Sequence, residues 1–308
     1  MAITGRGTQD DPYIVHDYYE LREIFPKQAK DEQGAYMGNG QPCYIELVND
    51  INCNDYGVDF VWEGLYTPSG YYEEASHTYL DLKGHTIKNF SIATNSYFVS
   101  KNRGNVTIKN GKILNVFGAG ASYFCNNINR LENLCISTNM TGMTSGNSIF
   151  SVTDVYKCSI YCICKSNIVR FLNVPNIQLC DVFMDIKPNQ YFVGTGANTN
   201  TQISCRFRGT VKGMHANESG NWSYSSGVAK DCVFNFEFIN ESQGASPSPV
   251  SYVSGAAGNV ENYELTGRVS PTSSSAVLYV DSDQMKDADY LSEHGFVVYD
   301  VTDLVGGG

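Results

Sequence analysis

Hydrophobic and polar positions along this chain alternate in short bursts, and one burst keeps returning. Between Phe90 and Tyr263 an apolar or small residue, a skipped residue and a second apolar residue recur every 21 to 31 residues. The first positions are Phe90, Gly111, Leu134, Cys158, Cys180, Cys205, Cys232 and Tyr263; two residues after each come Ile92, Ile113, Ile136, Ile160, Val182, Phe207, Phe234 and Leu265. Period-two alternation inside each copy marks a strand with one buried face. Repetition at twenty-odd residues marks a solenoid, whose units bury their apolar faces only against one another. The two periods together predict an all-β chain folded as a right-handed parallel β-helix.

The flanks carry different patterns. Tyr13-Ile14-Val15 reads as a short strand. Asp17 with Glu20 three residues on is a capping-box-like start for a helix that lines up Tyr18, Leu21, Ile24 and Phe25 and stops at Pro26. A lone amphipathic helix ahead of a strand stack is a device for covering its first open edge. Residues 1–42 are therefore the N-terminal cap and loop, residues 43–280 the β-helix, and residues 281–308 a C-terminal cap and tail. Cys43 to Ile51 is the first long strand, and an aromatic-rich insertion over Tyr56 to Tyr72 follows it. Near the other end Ala276–Val280 reads as a strand, Met285, Ala288 and Leu291 as the apolar stripe of a closing helix, and Phe296–Val301 as a last strand.

Composition narrows the functions. The 308 residues carry a net charge of −11 with no run of Lys or Arg, so the basic footprint that nucleic-acid binding needs is missing. No stretch approaches the roughly 18 apolar residues of a spanning helix, so membrane insertion is not expected. Met1 to Tyr13 lacks the basic start and apolar run of a secretory leader, which predicts synthesis and folding in a cytosol. Ten cysteines are compatible with disulfides, yet Cys158, Cys180, Cys205 and Cys232 share one phase of successive repeats. With Leu134 they form a predicted inward column of small hydrophobes, reduced in a reducing compartment.

Two segments resemble a known group. Gly5-Arg6-Gly7-Thr8 through Asp11-Pro12-Tyr13-Ile14-Val15 to Leu21-Arg22, together with Gly84-His85-Thr86-Ile87-Lys88-Asn89, resembles the openings and rung turns of pectate-lyase-like β-helices of bacterial surfaces and bacteriophages. Asp287 to Phe296 is similar to a closing segment of phage virion proteins. The resemblance implies the β-helix fold. It leaves function open, because that fold hosts adhesins, lyases, tailspikes and decoration proteins alike.

Candidate chemistry is sparse. Cys158, Cys162 and Cys164 fall on one strand face, and no His lies between 85 and 215, so packed core is expected there and neither metal nor cofactor. Asp181 and Asp185 share a strand face and are the candidate catalytic carboxylates for a glycan-cleaving enzyme, which needs such a pair about 5–9 Å apart. Nothing beside them in sequence supplies an Arg or His, and outward acids also serve to block sheet-to-sheet aggregation. Aromatic residues are the stronger lead: Trp62, Tyr66, Tyr71, Tyr72, Trp222 and Tyr224 are candidate surface contacts, each with an apolar body and, in Tyr and Trp, a polar handle. Ligand, subunit interface and core are all open to them.

The expectation is a non-enzymatic virion protein on a bacteriophage particle, a head decoration or fibre or a tail-associated attachment protein. Its expected partners are other virion proteins of the capsid or tail, further copies of itself as a homotrimer, and a host-surface glycan. A tailspike depolymerase or lyase and a bacterial surface adhesin are the alternatives.

Overall fold

The structure, a computed structural model, describes residues 3–25, 28–37, 40–57, 59–66, 77–100, 105–119, 123–141, 148–168, 170–188, 201–203, 205–212, 228–239 and 260–269. β1 (Tyr13–Val15) and α1 (Tyr18–Ile24) precede the first full coil, which contains β2 (Cys43–Leu47), β3 (Ile51–Asn52), β4 (Val61–Trp62) and β5 (Leu65–Tyr66). The next holds β6 (His77–Asp81), β7 (Thr86–Ile92) and β8 (Tyr97–Ser100). Two long strands, β9 (Asn105–Ala119) and β10 (Tyr123–Thr141), then run around the corners without a break. Later coils are made of β11 (Ser148–Tyr156), β12 (Ser159–Ile168), β13 (Arg170–Asn173), β14 (Asn176–Gln178), β15 (Asp181–Pro188), β16 (Thr201–Ile203), β17 (Arg206–Lys212), β18 (Val228–Ile239) and β19 (Val260–Val269).

Every pairing between these strands is parallel, each coil bonding to the one before and the one after. Three faces result. The first stacks β1, β2, β6, the start of β9, the middle of β10, the end of β11, β14 and β16. The second stacks β4, β7, the ends of β9 and β10, β12, β15, β17, β18 and β19. The third stacks β5, β8, the start of β10, β11 and β13. The chain is a parallel β-helix, as the repeat predicts. The predicted C-terminal strand, helix and final strand lie outside the described residues.

Inward ladders carry the repeat. Tyr13, Ile45, Leu80, Ile108, Leu131, Val155 and Ile177 follow one another in register on the first face, and all are buried. Ile87, Ile113, Ile136, Ile160 and Val182 do the same on the second, and the register continues through Phe207, Phe234 and Leu265. One copy of the repeat is displaced. Phe90-x-Ile92 pairs with Val116 and Gly118, whereas the neighbour of Ile113 is Ile87.

A bulge causes that displacement. In β7 and β9 two residues separate consecutive inward positions, Lys88-Asn89 and Leu114-Asn115, but in β10 only Ser137 does so, and the pairing slips between Ile136 and Thr138. Asn89 and Asn115 take the left-handed conformation at φ 63° and 55°, which Asn tolerates better than other non-glycine residues. Their amides form a ladder: Asn115 Nδ2 donates to Asn89 Oδ1 and Asn89 Nδ2 to Asn52 Oδ1, each at 2.9 Å. Where the bulge ends, Ser137 Oγ accepts from the Asn115 backbone N–H at 3.2 Å.

A second left-handed column turns the chain from the first face to the second. It comprises Asn110, Asn133, Lys157 and Leu179, at φ 58°, 51°, 51° and 53°. Asn133 Nδ2 donates to Asn110 Oδ1 at 3.1 Å, and Asn110 Nδ2 to both Asp81 carboxylate oxygens at 3.1 Å. The repeat's anchors, Gly111, Leu134, Cys158 and Cys180, come one residue after these corners. Space there is tight: a Cβ at Gly111 would sit 2.5 Å from Leu82 Cβ and 2.6 Å from the His85 carbonyl oxygen.

The N-terminal cap follows local chemistry. Asp17 Oδ1 accepts the Glu20 N–H at 2.9 Å, while Glu20 Oε2 reaches back to the His16 N–H at 2.8 Å, one residue beyond the capping-box partner. Tyr18, Leu21, Ile24 and Phe25 are buried against the first coil. Ahead of α1, Arg6 Nε bonds Asp11 Oδ2 at 2.7 Å and the Asp11 N–H donates to Thr8 Oγ1 at 3.1 Å. Gly5, at φ +90°, lies so close that a Cβ would overlap the Pro12 carbonyl oxygen. The Gly-Arg-Gly-Thr…Asp-Pro-Tyr segment is thus a self-locked loop that seats Tyr13 in the core.

Candidate functional site

The column of Leu134, Cys158, Cys180 and Cys205 is buried and occupies corresponding corner positions in successive coils. The sulfurs bond backbone. Cys158 Sγ donates to the Tyr156 carbonyl at 3.3 Å and Cys180 Sγ to the Gln178 carbonyl at 3.0 Å, in each case two residues back across the left-handed corner. Cys205 Sγ reaches the Ile177 carbonyl at 3.5 Å, and Cys180 Sγ accepts the Cys158 N–H at 3.4 Å. A thiol suits this place because it is small enough for the inside of the corner and carries a weak donor for a carbonyl turned inward. Cys232 holds the matching backbone position, paired with Tyr263; its side chain lies outside the described residues.

Burial holds most of the described thiols protonated. It pushes Cys43 and Cys135 up to about 12, and Cys53 likewise, with Asp55 a lesser cause. Cys158 is raised by burial first and by the neighbouring Cys180 second, whereas at Cys180 burial is outweighed by the bonds its sulfur makes with Cys158, Cys205 and backbone, which lower it. A thiol held protonated is neither a nucleophile nor a metal ligand.

Asp181 and Asp185 lie on β15 with outward-phase Phe183 between them. Four residues of extended strand separate their Cα atoms by about 13 Å, wider than a glycosidase carboxylate pair. Asp181 is buried at 4% exposure. Asp185 faces Tyr161, whose hydroxyl is raised above its usual range by burial, then by the Asp185 charge. Along the strand the two acids are held apart.

The aromatic candidates divide. Trp62 is fully buried, with Phe90 and Phe98 at 4.6 and 5.1 Å between ring centroids and its indole N–H donating to the Phe98 carbonyl at 3.0 Å. It is core and not a surface contact, because β4 pairs with β7 in the register that puts Val61 outside and Trp62 inside. Tyr66 pairs with Ser100 through its backbone, and its side chain is not among those described. Tyr71, Tyr72, Trp222 and Tyr224 lie outside the described residues.

The aromatic stacks on the outside are different ones. On the first face Tyr79 stacks with Tyr44 at 4.7 Å and with His77 at 4.1 Å, and His77 Nε2 lies 2.7 Å from Thr107 Oγ1. On the second face Tyr161 and Phe183 stack at 4.9 Å with a 4° interplanar angle. A signal for the latter pair was present in the sequence: Tyr161 and Phe183 directly follow the second apolar position of two consecutive repeats.

The two faces differ in charge. Outward positions of the first face are tied by Lys109–Asp81 at 3.4 Å, Arg130–Glu132 at 2.8 Å and Asn176 Nδ2 to Asp154 Oδ1 at 2.8 Å, and the Arg130 guanidinium sits 5.1 Å over the Tyr156 ring. The second face has an outward column in register from Val61 through Ser91, Phe117 and Asn139 to Ile163, none of them charged. Phe117 and Val61 are among the few large hydrophobic side chains exposed on the described surface, at 45% and 44%.

No family model matches the chain, and no curated protein matches it. Among solved structures it is similar to a putative immunoglobulin A1 protease from Bacteroides ovatus, with 16% sequence identity, a TM-score of 0.54, and coverage of 85% of this chain and 86% of that one. At this identity the likeness speaks for the β-solenoid fold alone.

Proposed function

We propose that the chain is a non-enzymatic structural protein on the surface of a bacteriophage particle, a head decoration or fibre or a tail-associated rod that aids attachment to the host surface. One observation carries the non-enzymatic part. The chemistry-bearing side chains described here are consumed by architecture: thiols bond corner carbonyls, asparagines bond one another along the rod, and the two candidate carboxylates are spaced apart by Phe183. Support for the particle setting comes from the resemblance of the opening, rung-turn and closing segments to phage β-helices. The first two have structural explanations in the locked Gly5–Tyr13 loop and in the corner where Asp50 Oδ1 accepts the Thr86 N–H at 2.9 Å.

Mass spectrometry of purified particles from a culture carrying the gene tests this reading. The chain is expected as a stoichiometric particle protein; its recovery from the cell envelope with none in the particles favours the adhesin. The enzyme alternative has two substrates to assay. Host capsule, followed by reducing-end and unsaturated-uronate release, tests the depolymerase. Immunoglobulin A1 is the second, given the name of the solved neighbour. Cleavage of either, lost in Asp181→Asn, overturns the non-enzymatic reading.

A further inference from the structure

We infer that Asn110–Gly111 is a latent deamidation site, which the corner between the first and second faces holds shut and whose reaction breaks that corner. The architecture forces this dipeptide. The corner residue sits at φ 58°, a conformation that Asn tolerates better than other non-glycine residues. The residue after it has no room for a side chain, since a Cβ there would lie 2.5 Å from Leu82 Cβ and 2.6 Å from the His85 carbonyl oxygen. The later corners, Asn133–Leu134, Lys157–Cys158 and Leu179–Cys180, carry no glycine at that place.

Asn followed by Gly is the least hindered arrangement for one reaction. The Gly111 amide nitrogen gives its proton to hydroxide and attacks Asn110 Cγ. The new C–N bond closes a cyclic imide, and the Nδ2 group leaves as ammonia. Water then opens the ring at either carbonyl and leaves aspartate or isoaspartate at 110. A side chain on the following residue crowds the attacking nitrogen, and glycine has none.

In the folded chain the groups that must move are held. The Asn110 carbonyl accepts the Gly84 N–H at 2.7 Å, so swinging the Gly111 nitrogen towards Cγ, a rotation out of the left-handed well, breaks that bond. The Lys112 N–H, one residue farther on, donates to the His85 carbonyl at 3.0 Å. The side-chain amide is held at both ends, Nδ2 by the two Asp81 carboxylate oxygens and Oδ1 by Asn133 Nδ2, each at 3.1 Å. Reaction therefore waits for a local opening of the corner, which is rarer than free rotation in an unfolded chain. The product does not close the corner again. A carboxylate at 110 replaces the donor that faces Asp81, and like charges at hydrogen-bond distance repel, with Lys109 at 3.4 Å from Asp81 offsetting only part. Isoaspartate also lengthens the main chain by a carbon and breaks register with the coils on either side.

Peptide mapping by mass spectrometry tests this on the full chain held at mildly alkaline pH, folded and in guanidinium, with aspartate plus isoaspartate at 110 as the readout. Position 110 is expected to react at least about tenfold more slowly in the folded chain. Asp81→Ala, which frees Nδ2, is expected to raise the folded-state rate several-fold. Asn133→Gly, which frees Oδ1 and keeps the corner backbone of its own coil, is expected to raise it less; circular dichroism checks that both variants fold. Asn110→Asp, which supplies the product directly, is expected to fold and to melt several degrees lower than the wild-type chain. Equal rates in the folded and unfolded chains, folded Asp81→Ala and Asn133→Gly chains with the wild-type rate, or an Asn110→Asp chain as stable as wild type each overturn the inference.

Discussion

The coils built on β7 and β9 and those built on β12 and β15 wrap the same kind of core with different materials. The early coils are packed by rings: Trp62, Phe90, Phe98 and Phe124 follow one another with centroids 4.6 to 5.5 Å apart, and Phe150 carries the stack one coil farther. Their second face is bent by bulges, held by the Asn52–Asn89–Asn115 ladder. The later coils lose the bulge at Ser137 and keep an unbroken register from Ser159 to Cys164, and small side chains enter the interior, with Cys158, Cys162, Cys164, Cys180 and Cys205 all fully buried. Cross-section and filling change together. A bent face with large rings and a straight face with thiols and aliphatics are two ways of keeping the interior at native packing density.

The largest test of that difference uses alkali. A thiol raised to about 12 in the fold but titrating near 9 when unfolded stabilises the fold fully below pH 9 and loses that contribution as pH rises toward 12. At pH 11 each such thiol contributes on the order of 2–3 kcal/mol less than at pH 8. Because Cys158 and Cys162, both raised by burial, lie at and in β12 while β7 and β9 hold no thiol, hydrogen exchange measured by mass spectrometry from pH 8 to 11 is expected to lose protection first over β12. Uniform loss, or earlier loss over β7 and β9, breaks the comparison.

Trp62→Ala probes the ring-packed side. It removes a fully buried ring and its bond to the Phe98 carbonyl, at an expected cost of about 3–5 kcal/mol in denaturant unfolding. Cys180→Ala, on the thiol side, removes one sulfur and leaves the Gln178 carbonyl without its donor, so about 1–3 kcal/mol is expected. Equal losses would argue that the two halves are filled alike.

Asn115→Ala is expected to cost about 2 kcal/mol, from the strained left-handed backbone and the lost ladder bond, and Asn115→Gly about half as much because only the bond is lost. The smallest effect has the opposite sign. Lys157 holds a left-handed corner at φ 51° next to Asn133 in the same column. Lys157→Asn relieves that strain and extends the amide ladder by a rung, a gain of about 0.5 kcal/mol by thermal unfolding after the loss of the Lys157 contact with the Tyr156 ring.

Several of these features were legible in the sequence and several were not. The thiol column could be read because four cysteines return in one phase, and α1 because Asp17, Glu20 and Pro26 punctuate it. The asparagine corners could not: many asparagines are scattered along the chain, and only stacking selects Asn89, Asn110, Asn115 and Asn133 from the rest. Phe90 was assigned to the wrong ladder because a bulge inserts one extra residue, and a local pattern does not record which neighbour a coil chooses. The choice between surface and core at Trp62 is illegible in the sequence for a related reason. A two-residue strand carries no alternation of its own, so its phase is fixed by β7 alone.

Alternation within a twenty-odd-residue period was enough to determine a stack of parallel coils with an inward ladder, because both periods are properties of the chain itself. Which residues stand in line from coil to coil was settled only by the assembled stack. Register is chosen by packing against the neighbouring coil, and from it follow the bulged corners, the buried tryptophan and the uncharged column on the second face.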